Sequence, residues 1–229
     1  MEVTEHQGET LKYLAIEPDG YDPSSRYPMV ILLHGYGSSM SDLARLCPLI
    51  DQQGYVYICP SAPYPVRVGT GMVGYSWSPA DGGGGLGDTD RSGEELASLF
   101  EEVMERYDVE ARRVILGGFS QGGFMTYRCG LTRPEVFRGL VVLSSRVADH
   151  EALRERLPAS RTQAIFIAHG TADSMISVED SRKSRQFLEE EGYAPEYREY
   201  PMGHEVSQDV VNDLTPWIRG VVSPYQPVS

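Results

Sequence analysis

The sequence predicts an α/β domain, with a mostly parallel central sheet and helices on both faces. Three observations carry this. Strand-length apolar runs alternate with stretches of helical period along the chain. The clearest run, Pro28-Met29-Val30-Ile31-Leu32-Leu33, is apolar throughout, as strands buried on both faces are. The length of 229 residues, with 41% hydrophobic and 23% charged side chains, suits one domain with a sizeable core.

Each element follows in order. Residues 10–17 alternate and suit an edge strand, while residues 1–9 are expected to fray. Residues 28–33 form a buried strand ending at His34-Gly35. Residues 41–53 place Leu43, Leu46, Leu49 and Ile50 at helical spacing, with Ser39 or Ser41 as a cap. Tyr55-Val56-Tyr57-Ile58-Cys59 is a strand stopped by Pro60. Residues 60–90 hold prolines at 60, 63, 65 and 79 and many glycines, so they read as a loop. Its length points to a functional rim rather than a domain boundary. Residues 92–107 regain helical period through Leu96, Leu99, Phe100 and Val103. Strands follow at 114–116, 140–143, 164–168 and 196–200, and helices at 121–131, 151–157, 178–191 and 205–219. No repeat, low-complexity tail or linker interrupts the series, so residues 1–229 read as a single domain.

Composition narrows the partners. A net charge of −13 repels nucleic acid and anionic membranes but says nothing positive about the reaction; a small-molecule substrate is the partner expected from the motifs. No apolar run approaches the ~20 residues of a membrane helix. The start, Met1-Glu2-Val3-Thr4-Glu5-His6, is acidic and polar, without a secretory pattern. Cys47, Cys59 and Cys129 show no C-x-x-C spacing. They are expected as buried free thiols in a reducing cytoplasm, not as disulfides or zinc ligands. The histidines are isolated, and the runs Glu101-Glu102 and Glu189-Glu190-Glu191 fall on helix faces, so no metal or other cofactor is expected.

The chemistry centres on Gly118-Phe119-Ser120-Gln121-Gly122, a G-x-S-x-G motif between the strand Val114-Ile115-Leu116 and a helix. A serine on a sharp strand-to-helix turn projects its hydroxyl clear of the sheet, above a helix N-terminus. Small residues at 118 and 122 let strand and helix approach. That hydroxyl needs a base to take its proton, and the base needs an orienting group. Downstream, His169-Gly170-Thr171-Ala172-Asp173 and Gly203-His204-Glu205 each follow a strand. Ser120, Asp173 and His204 therefore lie at carboxyl ends of strands, on the rim where open α/β sheets build their sites.

Other candidates are weaker. Asp149 follows the strand at 140–143, a position from which some hydrolases take their acid. His169 is expected to shape the acid loop, and His34 to be structural. His6 belongs to the fraying end, and Asp180 and Asp209 to solvated helix faces. The oxyanion of a tetrahedral intermediate needs two donors. The backbone N–H groups of Gln121 and Tyr36 are expected there, the latter in the turn His34-Gly35-Tyr36-Gly37. Gly82-Gly83-Gly84-Gly85-Leu86-Gly87 matches G-x-G-x-x-G but follows Pro79-Ala80-Asp81 rather than a strand. It reads as a glycine-rich rim of the pocket, not a dinucleotide site. Trp77, with Tyr75 and Met72, is a candidate wall for the substrate pocket; core burial of Trp77 is the equal alternative.

These strings resemble the phospholipase/carboxylesterase family of α/β hydrolases, which includes bacterial carboxylesterases and acyl-protein thioesterases. The likeness rests on Leu33-His34-Gly35-Tyr36-Gly37, Ser76-Trp77, Gly117-Gly118-Phe119-Ser120-Gln121-Gly122-Gly123, His169-Gly170-Thr171-Ala172-Asp173 and Gly203-His204-Glu205. It runs from about residue 28 to 219. It implies the α/β-hydrolase fold without a large cap domain, and cleavage of carboxylic or thioester bonds. Ser120, Asp173 and His204 match the family's triad, and Tyr36 and Gln121 its oxyanion positions. The chain departs at Tyr36, often leucine in the family, at Ser38, often aspartate, and at Ser78, often phenylalanine.

The expected activity is that of a serine carboxylesterase on short- to medium-chain esters, working as a monomer or homodimer. The alternatives are an acyl thioesterase or lysophospholipase of the same family, a peptidase of the same fold, and a non-catalytic binding protein on a hydrolase scaffold. The peptidase reading lacks sequence for a cap that would select peptides. The binding reading conflicts with the presence of all three triad candidates.

Overall fold

A computed structural model of the chain describes residues 1–69, 71–79 and 89–226. The elements in order are β1 (Glu2–Gln7), β2 (Lys12–Glu17), β3 (Met29–Leu33), α1 (Ser41–Ala44), α2 (Cys47–Ile50) and β4 (Val56–Pro60). Next come β5 (Tyr64–Val68), β6 (Met72–Ser76), α3 (Asp90–Arg106), β7 (Val114–Phe119), α4 (Gln121–Gly130) and β8 (Phe137–Leu143). The chain closes with α5 (His150–Arg154), β9 (Ala164–Gly170), α6 (Val178–Glu190), β10 (Glu196–Tyr200) and α7 (Gln208–Val221).

An eight-stranded sheet runs in the order β1-β2-β4-β3-β7-β8-β9-β10. From β4 to β10 neighbouring strands are parallel, while β1–β2 and β2–β4 are antiparallel. The strand period of two divides the apolar runs between two cores. On one face Met29, Ile31 and Leu33 pack with Leu96 and Leu99 of α3, Met125 of α4, Leu153 of α5 and Phe187 of α6. On the other, Val30 and Leu32 pack with Leu43 of α1, Ile50 of α2, and Val210, Leu214 and Ile218 of α7. Both faces are covered, which is why these strands are apolar without alternation.

Three expectations are corrected. Residues 2–7, expected to fray, pair along their whole length with β2 as strand β1. β1 is therefore the edge, and β2 lies one strand in. The helix expected at 41–53 is two short turns, because Pro48 enters at the start of the second, and neither turn has a side-chain cap. The stretch 60–90, expected to be all loop, contains the β5–β6 hairpin, with Gly69 (φ +58°) and Gly71 (φ +114°) flanking its turn. The glycine-rich segment 82–87 lies outside the described residues.

Among the described residues no helix is long and apolar enough to cross a membrane. The three cysteines are buried free thiols.

Candidate active site

The site is assembled at the carboxyl ends of β7, β9 and β10. β7 enters the elbow and α4 leaves it, with Ser120 between them at φ 55°, ψ −116°. A non-glycine residue there is strained, and the surroundings hold it. Ser120 N–H donates to Leu143 O at 2.9 Å, and Ser120 O accepts from Phe124 N–H at 3.1 Å and from Ser145 Oγ at 2.7 Å. The glycines are steric necessities. A Cβ on Gly118 would lie 2.3 Å from the Gly122 carbonyl, and one on Gly122 would lie 2.0 Å from Leu33 O.

The acid and base loops lock to each other. Thr171 N–H donates to Tyr200 O at 2.8 Å, and Ala172 N–H to Met202 O at 3.1 Å. Gly170 abuts the other loop so closely that a Cβ would sit 2.3 Å from Met202 O. This contact brings Asp173 and His204 together. The His204 Nδ1–H donates to Asp173 Oδ2 at 2.7 Å, and the Ser120 hydroxyl donates to His204 Nε2 at 2.9 Å. The assignment follows from chemistry: an ionised carboxylate only accepts, so Nδ1 carries the proton and Nε2 is left to accept. Phe119 lies against the imidazole, with ring centroids 4.8 Å apart.

The Asp173 side chain is out of solvent but well supplied with donors. Its Oδ1 accepts from Met175 N–H at 2.8 Å and Ile176 N–H at 2.9 Å. Burial pushes its carboxyl up, yet the N–H of Ile176, the His204 imidazole and the N–H of Met175 outweigh this and hold it below the usual carboxylate range. His169, in β9, places Nε2 2.9 Å from Ile176 O and 3.4 Å from Asp173 Oδ2. It braces the acid loop rather than meeting Ser120.

The other titratable groups sit elsewhere. Asp149 caps α5 by accepting from Ala152 N–H at 3.0 Å, and His150 stacks on Phe187 at 4.7 Å. His34 is buried, with Nδ1–H donating to Gly35 O at 2.8 Å and Nε2 accepting from Ala62 N–H at 3.0 Å. Burial lowers it to about 4, against the opposing pull of the Gly35 bond, so it stays neutral and structural. Among the described residues no three His, Cys, Asp or Glu side chains gather as metal ligands.

The Gln121 N–H opens α4, where a helix's first turn has no intrahelical acceptor. The Tyr36 N–H has no acceptor among the described residues, while its neighbours Gly37 and Ser38 donate to Tyr75 O and Gly35 O. The turn lies against the elbow: a Cβ on Gly35 would sit 3.3 Å from the Ser120 Cβ.

The expected pocket wall does not form as a unit. Trp77 is fully buried in the core, and its Nε1–H donates to His34 O at 2.9 Å, so its ring offers a substrate no surface. Met72 is 77% exposed on the hairpin, and Tyr75 bridges to Ser38 through its backbone. A cavity of about 240 Å³ opens beside α4, lined by Phe124, Tyr127, Val147, Ala148, Leu153 and others, but neither Ser120 nor His204 lines it. Sequence reasoning missed Ser145 and the side chain of Gln121, which binds the segment 76–78. It also missed the hairpin, for which Gly69-Thr70-Gly71 between alternating residues was an available signal.

Known proteins match this chain over most of its length. A family model described as phospholipase/carboxylesterase matches residues 21–222. The chain belongs to the phospholipase/carboxylesterase family. Membership makes it an α/β hydrolase and a carboxylic ester hydrolase. It is 28% identical over 240 residues to acyl-protein thioesterase 1 of Mycosarcoma maydis, covering 93% of this chain and 98% of that protein. It is 30% identical over 207 residues to a probable carboxylesterase of Oryza sativa subsp. japonica, covering 83% and 76%. The crystal structure of SOBER1 from Arabidopsis thaliana superposes with a TM-score of 0.72 at 25% identity, covering 86% of this chain and all (100%) of that one.

Proposed function

We propose that this family member is a serine carboxylesterase that cleaves short- to medium-chain esters through an acyl-enzyme. The observation that carries the reading is the bonded series Ser120–His204–Asp173 on a strained elbow. Ser120 Oγ attacks the ester carbonyl while His204 Nε2 takes its proton. Asp173 holds the imidazole tautomer and stabilises the imidazolium. The N–H groups of Gln121 and Tyr36 receive the oxyanion. The tetrahedral intermediate collapses, His204 protonates the departing alcohol, and water activated by the same imidazole frees the acid.

A second reading is an acyl thioesterase, favoured by the match to acyl-protein thioesterase 1 over 93% of this chain. A panel of p-nitrophenyl esters from acetate to dodecanoate, with an acyl thioester alongside, ranks the two. Replacing Ser120 with alanine should lower kcat on p-nitrophenyl butyrate by about 10⁴-fold or more with circular dichroism unchanged. Retention of turnover in that variant would remove the serine from the mechanism. The buried free thiols support a reducing, cytoplasmic setting, and sizing chromatography tests the monomer or homodimer.

A further inference from the structure

The two oxyanion donors stand on different elements, Gln121 on the elbow and Tyr36 on the turn after β3. Both must lie within hydrogen-bond reach of one oxygen, and a misplacement of about 1 Å can cost 10²-fold in rate. The turn carries Gly35 and Gly37, the latter at φ +74°, so its own backbone does little to fix it. The structure shows what does. Gly37 N–H donates to Tyr75 O at 2.9 Å, Tyr75 N–H donates to Ser38 O at 2.8 Å, and Trp77 Nε1–H donates to His34 O at 2.9 Å. All three bonds come from the end of β6 and the residue after it. Gly74 permits the approach, since a Cβ there would lie 2.0 Å from Gly37 O.

That strand end is in turn held by the Gln121 side chain. Trp77 N–H donates to Gln121 Oε1 at 2.9 Å, and Gln121 Nε2 donates to Ser78 Oγ at 3.0 Å and Ser76 Oγ at 3.1 Å. The amide orientation is fixed, because only the carbonyl oxygen can meet a backbone N–H. Gln121 is buried, so these bonds are shielded from water.

We propose that the Gln121 carboxamide is a positioning group that sets the distance between the two oxyanion donors. The residue whose own N–H is one donor grips, through 76–78, the strand that holds the turn carrying the other. Ser78 and Ser76 are the two acceptors of the Gln121 amide N–H groups. The proposal rests on the esterase reading above.

The test is Gln121→Met, similar in length but unable to make these bonds. Expected is a fall in kcat on p-nitrophenyl acetate of about 10- to 100-fold, with KM changed by less than about threefold. The inhibition constant of an aryl trifluoromethyl ketone, which forms an oxyanion on Ser120, should rise by the same factor as kcat falls. The acid limb of the kcat profile should stay in place, because the Asp173–His204 bond is untouched. Ser78→Ala should show the same pattern at about threefold, and should add nothing to Gln121→Met. A folded Gln121→Met with full kcat, or with lost kcat and unchanged ketone affinity, would overturn the proposal. If that variant does not fold, Ser78→Ala decides alone: unchanged kcat and ketone affinity would overturn it. An inert wild type, or an active Ser120→Ala control, marks failure of the esterase reading instead.

Discussion

The elbow at Ser120 and the hairpin β5–β6 flank the same turn after β3, but the elbow is close-packed throughout and the hairpin only at its base. The elbow is fixed by steric exclusion of backbone against backbone at Gly118 and Gly122. The hairpin is fixed at its base by hydrogen bonds to Gln121 and to the turn and by Val68 against Gly37, while its tip projects Met72 and Val73 into solvent. The elbow leaves no space for a methyl group, nor does Gly74 at the base of the hairpin, whereas the tip leaves Met72 and Val73 exposed. On the proposed mechanism, rigidity is concentrated at the elbow, where charge would develop during reaction.

The strongest way to break this contrast is Gly122→Ala. The added Cβ would lie 2.0 Å from Leu33 O and 2.5 Å from Leu33 C, both backbone atoms of a central strand. Relief requires β3 or α4 to move. A loss of about 3 kcal/mol or more is expected, seen as a fall in Tm of roughly 10 °C or as insoluble protein. A Tm within about 2 °C of wild type would show that the elbow has slack.

Next in size is the acid dependence of the turn itself. His34 ties the turn to Ala62 and carries a folded-state value of about 4 against an ordinary 6.5. The unfolded chain takes up a proton near pH 6.5, while the folded protein refuses it until about pH 4. This contribution is complete above pH 6.5 and is lost as pH falls from 6.5 to 4, about 3 kcal/mol in all. Asp173, held below its ordinary 3.8, loses its share in the same direction but at lower pH. Urea unfolding of wild type and His34→Gln from pH 7 to 4 separates them: the variant should have the flatter profile. Parallel profiles would mean that His34 titrates freely.

Legibility from sequence follows the same division. The convergence of Ser120, Asp173 and His204 was readable because each follows a strand, an apolar run before Ser120 and Asp173 and the strand Glu196–Tyr200 before His204, in a short string of glycine and polar residues. The bonds that join them are long-range, yet parallel topology delivers strand ends to one rim without further information. The strand β1 was not readable, because an edge strand exposed on most residues, with Glu2, Thr4 and Glu5, has no apolar signature. Trp77 could not be settled, because an indole needing a partner for its N–H suits a core as well as a pocket; the His34 carbonyl decides it. The carboxamide of Gln121 was invisible because its partners, 43 to 45 residues earlier, are a backbone N–H and two serines that any loop might contain.

The smallest expected effect sharpens the contrast at the hairpin tip. Met72 is 77% exposed and Val73 61% exposed, and neither side chain reaches the bonds that hold the turn. Met72→Ser should leave Tm within about 1 °C, since surface changes of this kind stay within roughly 0.5 kcal/mol. Its kcat on p-nitrophenyl acetate should stay within about twofold of wild type, because acetate has no chain to reach the tip. A selective rise in KM for the dodecanoate ester would extend the substrate path to the hairpin. A tenfold loss on acetate would instead return Met72 to the reacting centre and remove the distinction between a rigid elbow and a tolerant rim.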